Sequence, residues 1–85
     1  MGTPMKLRVR LFGELRERAG WAERELTAAP MLTPGELWPT IAPELGEAPR
    51  LPQRIRVAIN QQFAAPDQTL ADGDEVAFLP PISGG

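Results

Sequence analysis

The residues best suited to chemistry are the last six of the sequence, Pro80-Pro81-Ile82-Ser83-Gly84-Gly85. Proline fixes φ and cannot join a helix or a central strand, so Pro80 and Pro81 predict an extended segment that leaves the domain. Gly84 and Gly85 have no side chains, which would let the final carboxylate pass through a narrow channel. At about 3.1–3.6 Å per residue, this tail (residues 80–85) spans roughly 20 Å, enough to enter a partner's active site. The pattern is typical either of a carboxylate delivered to a partner or of an ordinary frayed terminus.

Cysteine and histidine are both absent from the 85 residues. Without them the chain has no thiolate nucleophile, no imidazole base and none of the commonest zinc ligands, so we expect neither a stand-alone hydrolase nor a bound metal. The net charge of −2 argues against general nucleic-acid affinity. No stretch reaches the roughly 20 apolar residues of a membrane span. We therefore expect a cytoplasmic protein with no nucleic-acid or membrane partner.

Strands are predicted where apolar and polar residues alternate. The segment 22–28 is weaker and charged, which favours a sheet edge. Asp72-Gly73 predicts a hairpin turn before the last strand, and Asn60 is expected to close the turn before a short strand. The predicted strands are 5–12, 22–28, 54–60, 63–65 and 75–79.

Two helical segments are predicted. A short helical turn over 14–19 ends at Gly20, and Thr33-Pro34-Gly35-Glu36 has the pattern of a capping box that begins the main helix. Pro39 and Pro43 lie inside that helix, so we expect it to be short, kinked or partly 3₁₀. The order of elements predicts an α+β domain, with one helix across a mixed sheet, and matches the β-grasp or ubiquitin-like order. Residues 5–79 would form this domain, with an extension at 1–4.

Three motifs carry a family resemblance. The run 72–85 combines a turn, a strand, a diproline and a diglycine, and it follows the patches Leu11-Phe12-Gly13-Glu14-Leu15-Arg16-Glu17 and Val57-Ala58-Ile59-Asn60-Gln61. Together they resemble the MoaD branch of the MoaD/ThiS family of ubiquitin-like sulfur carriers, whose members are small subunits of molybdopterin synthase. The resemblance extends over most of the chain, and it implies a β-grasp fold and a hetero-oligomer.

The resemblance also implies a chemistry for the tail. An E1-like adenylating enzyme of the MoeB type would use ATP to adenylate Gly85, and sulfur would replace AMP to leave a thiocarboxylate. A MoaE-like large subunit would then receive the tail, with Ser83 and Gly84 lining the passage, and sulfur would pass to cyclic pyranopterin monophosphate to build molybdopterin. A carboxylate is a poor electrophile, and this chain has no side chains suited to activating it. The resemblance thus implies a non-catalytic subunit that holds no cofactor stably.

Strand phase predicts a docking surface at the root of the tail. Phe12 falls on the charged side of the first strand, and Leu79 falls opposite the apolar side of the last. If these strands are neighbours, the two side chains form an exposed apolar pair that Phe63 could join, with Arg16 as a polar contact to an acidic partner. Basic residues would surround this pair, although a row of outward arginines is also typical of a solvated strand face. These residues are Lys6, Arg8, Arg10, Arg54 and Arg56.

Other interpretations stay open at this point. The chain could carry sulfur for another route, as ThiS does in thiazole synthesis or as carriers for tRNA thiolation do. It could be a ubiquitin-like modifier whose Gly85 forms isopeptide bonds, or an interaction domain whose tail is never activated. Trp21 and Trp38 are expected in or over the core, and the carboxylates of 72, 74 and 75 are expected to be solvated rather than to hold a cation.

Overall fold

Five strands and two helices follow one another in the order strand, helix, strand, helix and then three strands. The structure, a computed structural model, describes residues 2–81. The strands are β1 Met5–Leu11, β2 Glu23–Ala28, β3 Arg56–Ile59, β4 Gln62–Ala64 and β5 Glu75–Leu79, and the helices are α1 Gly13–Ala19 and α2 Pro34–Leu45. All five predicted strands are present, with ends that differ from the prediction by at most one or two residues.

The strands form one mixed sheet in the order β2-β1-β5-β3-β4. The first and last strands, β1 and β5, are parallel neighbours at its centre, and the remaining pairs are antiparallel. The charged strand β2 lies at an edge, as its composition predicted. A single main helix packed on such a sheet is the β-grasp arrangement, so the predicted α+β class is confirmed.

The core lies between α2 and the inner face of the sheet. Trp38 of α2 is completely buried, and its ring meets that of Phe78 edge-on, with 5.2 Å between centroids. The indole N–H of Trp38 donates to the carbonyl of Ala48 at 3.0 Å, so its polar atom is satisfied. The prediction that Trp38 belongs to the core is confirmed. Its neighbours in the cluster include Leu7, Val9, Leu11, Leu37, Ile41, Leu45, Val57 and Val76.

Helix α2 begins where the sequence predicts. The hydroxyl of Thr33 accepts from the backbone N–H of Glu36 at 3.2 Å, and the Glu36 carboxylate accepts from the backbone N–H of Thr33 at 3.0 Å. This reciprocal capping box satisfies two N–H groups that the helix cannot bond internally. Pro34 occupies the first turn, where its missing N–H costs nothing.

The expectation of a short or partly 3₁₀ helix is wrong. Helix α2 is α-helical for twelve residues, with Pro39 and Pro43 inside it. Both prolines are exposed and four residues apart, so they lie on the side of the helix that faces water. The carbonyls that lose their helical donors are those of Gly35 and Pro39, on the same side, where water can replace the bond. The buried stripe on the opposite side then holds the helix together.

The prediction that Asp72-Gly73 forms a hairpin turn is wrong. The turn exists, but no strand precedes it within residues 65–74, so it does not join two paired strands. It is fastened to β1 instead, because the backbone N–H of Lys6 donates to the Asp72 carboxylate at 2.7 Å and that of Gly73 donates to the carbonyl of Lys6 at 2.8 Å. Strand β5 pairs with β1 and β3, and not with β4, the strand that precedes it in the chain. The segment 65–74 therefore crosses from β4 to the sheet centre.

The acidic residues near this turn are not simply solvated. Asp72 accepts the Lys6 N–H, while Asp74 accepts from the backbone N–H of Ala71 at 2.8 Å and from the Asn60 side chain at 2.9 Å. Across residues 2–81 no group of three or more ligand-type side chains could hold a metal ion. In the same range, both helices fall short of the length and hydropathy that a bilayer-spanning helix needs.

A polar bridge links β2 to the end of α2. The guanidinium of Arg24 donates to Glu44 at 2.8 Å, the indole N–H of Trp21 donates to the other carboxylate oxygen at 3.2 Å, and the half-buried Trp21 ring lies under Arg24 at 4.2 Å. The hydrogen bond from Arg24, followed by that from Trp21, holds the pKa of Glu44 below its ordinary value of 4.5. A carboxyl whose pKa is lower in the folded state stabilises the fold above its unfolded pKa, and this contribution is lost as pH falls through the folded pKa.

We expect the indole N–H resonance of Trp21 to titrate with a midpoint below 4.5, the ordinary pKa of Glu44. The resonance of Trp38 is the internal control, because its acceptor is a backbone carbonyl that does not titrate. Proton–nitrogen correlation spectra recorded as pH is lowered, with Glu44→Gln as the reference, measure both signals. A Trp21 signal that moves together with that of Trp38 would contradict the bridge.

Candidate partner-docking surface

The face of the sheet opposite α2 carries a row of four aligned residues. Strand register places Arg10 beside Ala77, Ala77 beside Ala58, and Ala58 beside Phe63, across strands β1, β5, β3 and β4. Directly paired residues on neighbouring strands lie on the same face of a sheet. A second pair, Arg56 and Leu79, continues this face toward the end of β5. The two small alanines leave a depression between larger neighbours.

We call this depression and its rim the outer patch. Ala58 and Ala77 are buried at its floor. Phe12, Phe63 and Leu79, which come from three distant parts of the sequence, all line it, so the structure brings the predicted apolar residues together. Their role in binding stays a prediction. The outer patch consists of Arg10, Phe12, Ala58, Gln61, Phe63, Glu75, Ala77 and Leu79.

Two arginines lie on the aromatic rings of the patch. The guanidinium of Arg56 lies 4.0 Å from the ring centre of Phe63, and that of Arg10 lies 5.0 Å from the ring centre of Phe12. Phe63 remains 64% exposed, so the arginine does not cover it. Arg10 also faces Glu75 at 3.7 Å, whereas Arg56 makes no ion pair within residues 2–81. The patch therefore presents an apolar surface beside a cation that can pair with a partner carboxylate.

The remaining predicted basic residues do not gather there. Arg16 is exposed on α1 and does not line the outer patch. Arg8 pairs with Glu23 at 3.4 Å, and Lys6 lies farther toward the start of β1. Lys6 and Arg8 lie on the outward side of β1, as the alternation predicts, but they fall outside the apolar depression.

The prediction for Arg54 is wrong. Its guanidinium donates to Glu47 at 2.6 Å, and Glu47 also accepts from Arg18 at 2.8 Å, just beyond the end of α2. Strand β3 begins at Arg56, so Arg54 lies in the preceding turn, where the alternation of strand faces does not apply. Arg54 therefore fastens the helix end instead of bordering the patch.

The root of the tail adjoins the outer patch. Leu79 is the last residue of β5 and lines the patch, and Pro80 follows it half-buried, with Pro81 exposed. Ile82, Ser83, Gly84 and Gly85, to which the prediction assigned the chemistry, lie outside the described residues. Their assignment stays a prediction.

Sequence reasoning missed Gln61. Asn60 and Gln61 have φ of 51° and 70° and form a two-residue hairpin loop that places Gln61 on the rim of the patch. The Asn60 side chain accepts from the backbone N–H of Glu75 at 3.0 Å, which ties the hairpin to the start of β5. Asn60 is a residue of this turn, as expected, but its side chain bonds Asp74 and the start of β5. A two-residue spacing between β3 and β4 is the signal that could have placed Gln61.

Fold and surface together define a small ubiquitin-like domain with an apolar patch beside its last strand. Residues 9–85 match the ThiS family, and the chain belongs to this family. The MoaD/ThiS resemblance carried by the sequence motifs is confirmed.

Two molybdopterin synthase sulfur carrier subunits are among the curated relatives that share sequence with the chain. It is 33% identical to the molybdopterin synthase sulfur carrier subunit of Chlamydomonas reinhardtii over 86 residues, which cover 95% of this chain and 100% of that relative. It is 52% identical to the subunit of the same description from Mycobacterium tuberculosis over 33 residues, which span only 40% of that relative.

Solved structures are similar as well. Small archaeal modifier protein 1 from Haloferax volcanii superposes with a TM-score of 0.79 at 27% identity, covering 94% of this chain and 99% of that one. A chain from the Helicobacter pylori complex of subunits 1 and 2 of molybdopterin-converting factor gives a TM-score of 0.59 at 25% identity, covering 95% and 100%.

Proposed function

We propose that this protein is a sulfur carrier of the MoaD type and acts as the small subunit of a molybdopterin synthase. Gly85 would be adenylated and then thiocarboxylated, and it would donate sulfur to cyclic pyranopterin monophosphate. One observation carries the proposal: the chain matches the ThiS family over residues 9–85 and is similar along its whole length to a molybdopterin synthase sulfur carrier subunit.

The proposed reaction steps need no reactive side chain on this protein. A carboxylate oxygen of Gly85 attacks the α-phosphorus of ATP, and pyrophosphate leaves. A hydrosulfide equivalent then attacks the acyl carbon, and AMP leaves to give the thiocarboxylate. The sequence contains neither cysteine nor histidine, so an E1-like adenylating enzyme of the MoeB type must supply the metal, cation and base.

We further propose that the outer patch receives the large subunit. The similar Helicobacter pylori structure is described as a complex of subunits 1 and 2 of molybdopterin-converting factor, which supports a second subunit here. Aromatic and aliphatic anchors within a charged rim are typical of binding surfaces. The patch contains Phe12, Phe63 and Leu79, and Arg56 lies beside it against the Phe63 ring. A partner with an apolar anchor and nearby carboxylates would complement it.

Replacing Phe63 by Asp is expected to weaken binding of the large subunit by at least about tenfold, because the change puts a charge in the apolar contact. Stability is expected to change by only about 0.5 kcal/mol, since Phe63 is already 64% exposed. Titration calorimetry with the MoaE-like subunit from the same organism measures the affinity, and urea unfolding measures stability.

Met31→Asp is the matched control for this change. Met31 is the other large apolar residue exposed within residues 2–81, at 75%, and it does not line the patch. The Met31→Asp variant is expected to bind the large subunit with the affinity of the unaltered protein. Equal affinities for Phe63→Asp and the unaltered protein would place the interface elsewhere.

A second candidate is a ubiquitin-like protein modifier. The likeness to small archaeal modifier protein 1, with a TM-score of 0.79, favours it. Gly85 would again be adenylated, but a lysine amine of a target protein would displace AMP to form an isopeptide bond. The sulfur-carrier proposal is preferred because the full-length sequence similarity is to a molybdopterin synthase subunit.

Mass spectrometry of the protein isolated from its own cells separates these two functions. Trypsin releases residues 57–85 as one peptide, because Arg56 is the last basic residue in the sequence. A gain of about 16 Da in this peptide is expected for a thiocarboxylate. Branched peptides that join it to target lysines would instead identify a modifier. A peptide with neither change would contradict both candidates.

A further inference from the structure

Arg56 lies beside the outer patch and makes no ion pair within residues 2–81. The basic residues that do pair with a glutamate in this range are Arg8, Arg10, Arg18, Arg24 and Arg54. Lys6, Arg16 and Arg50 also lack such a pair there, but none of them lines the patch. Arg56 therefore combines a place against the patch with a charge that the described part of the chain does not neutralise.

The surroundings of Arg56 offer it no carboxylate. The acidic residue that lines the outer patch is Glu75, which already faces Arg10 at 3.7 Å. Arg56 and Phe63 also line a second depression, and none of the residues around it is acidic. Its apolar lining includes Leu51, Pro52, Ile55, Ala64 and Pro66. A carboxylate that reached Arg56 would thus lie among apolar side chains.

The Phe63 ring holds the guanidinium of Arg56. The distance from Cζ to the ring centre is 4.0 Å, well inside the roughly 6 Å range of a cation–π contact. Phe63 is paired with Ala58, and Arg56 precedes Ala58 by two residues, so the two side chains are diagonal neighbours on one face. A guanidinium that already rests on a ring loses less rotamer freedom when a carboxylate binds its planar fork of donors.

Arg56 is also continuous with the apolar part of the patch. It lies directly opposite Leu79, which lines the patch at the end of β5. Ion pairs that stay exposed to water contribute little to binding, whereas pairs enclosed by apolar contacts are strengthened by the lower local dielectric. A partner that covered Phe63 and Leu79 would enclose Arg56 in this way.

We infer that Arg56 is a specificity-determining residue of the docking surface, held by the Phe63 ring ready for a carboxylate of the large subunit. The inference rests on the proposed function, since it takes the large subunit as the partner. The matching surface of that subunit has an Asp or Glu side chain with apolar side chains around it. A protein without this acidic group would gain only the apolar contacts, so the arginine separates partners that the apolar residues alone do not.

Arg56→Gln tests this inference, with Arg50→Gln as the matched control. Both changes remove the charge of an exposed arginine, but Arg50 lies between α2 and β3 and lines neither depression. Titration calorimetry with the large subunit is expected to show a loss of affinity of about tenfold or more for Arg56→Gln, and of less than about twofold for Arg50→Gln. Urea unfolding midpoints are expected to be unchanged in both. Equal affinities of the two variants would overturn the inference.

Arg56→Lys separates the guanidinium from its charge. An ammonium is a compact point charge without the planar fork, so we expect this variant to recover only part of the affinity that Arg56→Gln loses. Full recovery would show that charge alone is recognised and would overturn the assigned geometry.

A double-mutant cycle tests the role of the ring. Phe63→Leu keeps an apolar side chain and removes the aromatic face. In the Phe63→Leu background, Arg56→Gln is expected to lower the affinity by only about threefold or less, because the guanidinium is no longer held in place. The same loss in both backgrounds would overturn the role assigned to Phe63.

Charge reversal tests the chemistry of the partner group. Arg56→Glu is expected to bind more weakly than Arg56→Gln, because it opposes two negative charges. Replacement of the Asp and Glu residues of the large subunit by Arg, one at a time, is expected to restore the binding of Arg56→Glu at one position. Restoration at no position would overturn the inference. If the unaltered protein does not bind the large subunit, the proposed function fails together with the inference; if it binds and Arg56→Gln matches Arg50→Gln, the inference alone fails.

Discussion

Deletion of Gly85 is expected to abolish sulfur loading. Under the proposed function the reacting carbon is the carboxyl of this residue, and the shortened tail would end at Ser83-Gly84, one residue short of the adenylating site. One residue spans about 3.3 Å, far more than the tolerance of an in-line attack on ATP. An added alanine after Gly85 is expected to abolish loading as well, because it replaces the reactive carboxyl by an amide.

The measurement is the mass of the peptide 57–85 after incubation with ATP, sulfide and the adenylating enzyme. The unaltered chain should gain about 16 Da and both variants should gain nothing. Ser83→Ala is the control, since it changes the tail and keeps its length and last carboxyl. Neither the deletion nor the added residue alters a side chain of the core cluster, so unfolding midpoints should be unchanged. A loaded deletion variant would contradict the proposed mechanism.

Trp38→Ala is expected to lower the free energy of unfolding by about 3–5 kcal/mol. The ring is completely buried, it packs edge-on against Phe78 at 5.2 Å, and its N–H satisfies the carbonyl of Ala48. Truncation leaves a cavity, removes the aromatic contact and orphans the carbonyl. Domains of this size are stable by about 5–15 kcal/mol, so this single change is expected to remove much of the total.

Urea unfolding followed by circular dichroism measures this loss. Trp38→Phe keeps a buried aromatic ring but loses the N–H donor and part of the ring volume, so we expect it to cost about 1–2 kcal/mol. Trp21→Ala is the second reference, because Trp21 is only half-buried and its N–H bonds an exposed carboxylate. A loss in Trp38→Ala no larger than that in Trp21→Ala would show that the core does not depend on the buried ring.

Local features of the sequence predicted most of the fold. Alternation placed Leu7, Val9 and Leu11 on one side of β1, and all three are buried. The capping box at Thr33 and the left-handed cap at Gly20 also formed where their residue types indicated. These features depend on neighbours within a few residues, which is why the sequence reveals them. Proline at 39 misled the prediction because its cost depends on which side of the helix meets water.

The candidate site was predictable only in part. Phe12 and Leu79 were assigned to the outer face by strand phase, and the pairing of β1 with β5 brings them together. The alanine floor at Ala58 and Ala77 could not be foreseen, since small residues become a depression only when larger side chains surround them. The prediction for Arg54 was wrong for a related reason, because the side of the sheet on which it would lie depended on where β3 begins.

The sequence alone determined the strands and their faces, the start of the main helix, the family, and the expectation that chemistry at the tail belongs to partners. The tertiary structure alone decided that the turn at Asp72-Gly73 fastens to β1 and that Phe63 joins the outer patch. The physical reason is separation along the chain. Periodicity and capping act over a few residues, whereas these contacts join separate strands and turns of the chain, and only the pairing of the strands brings them within reach.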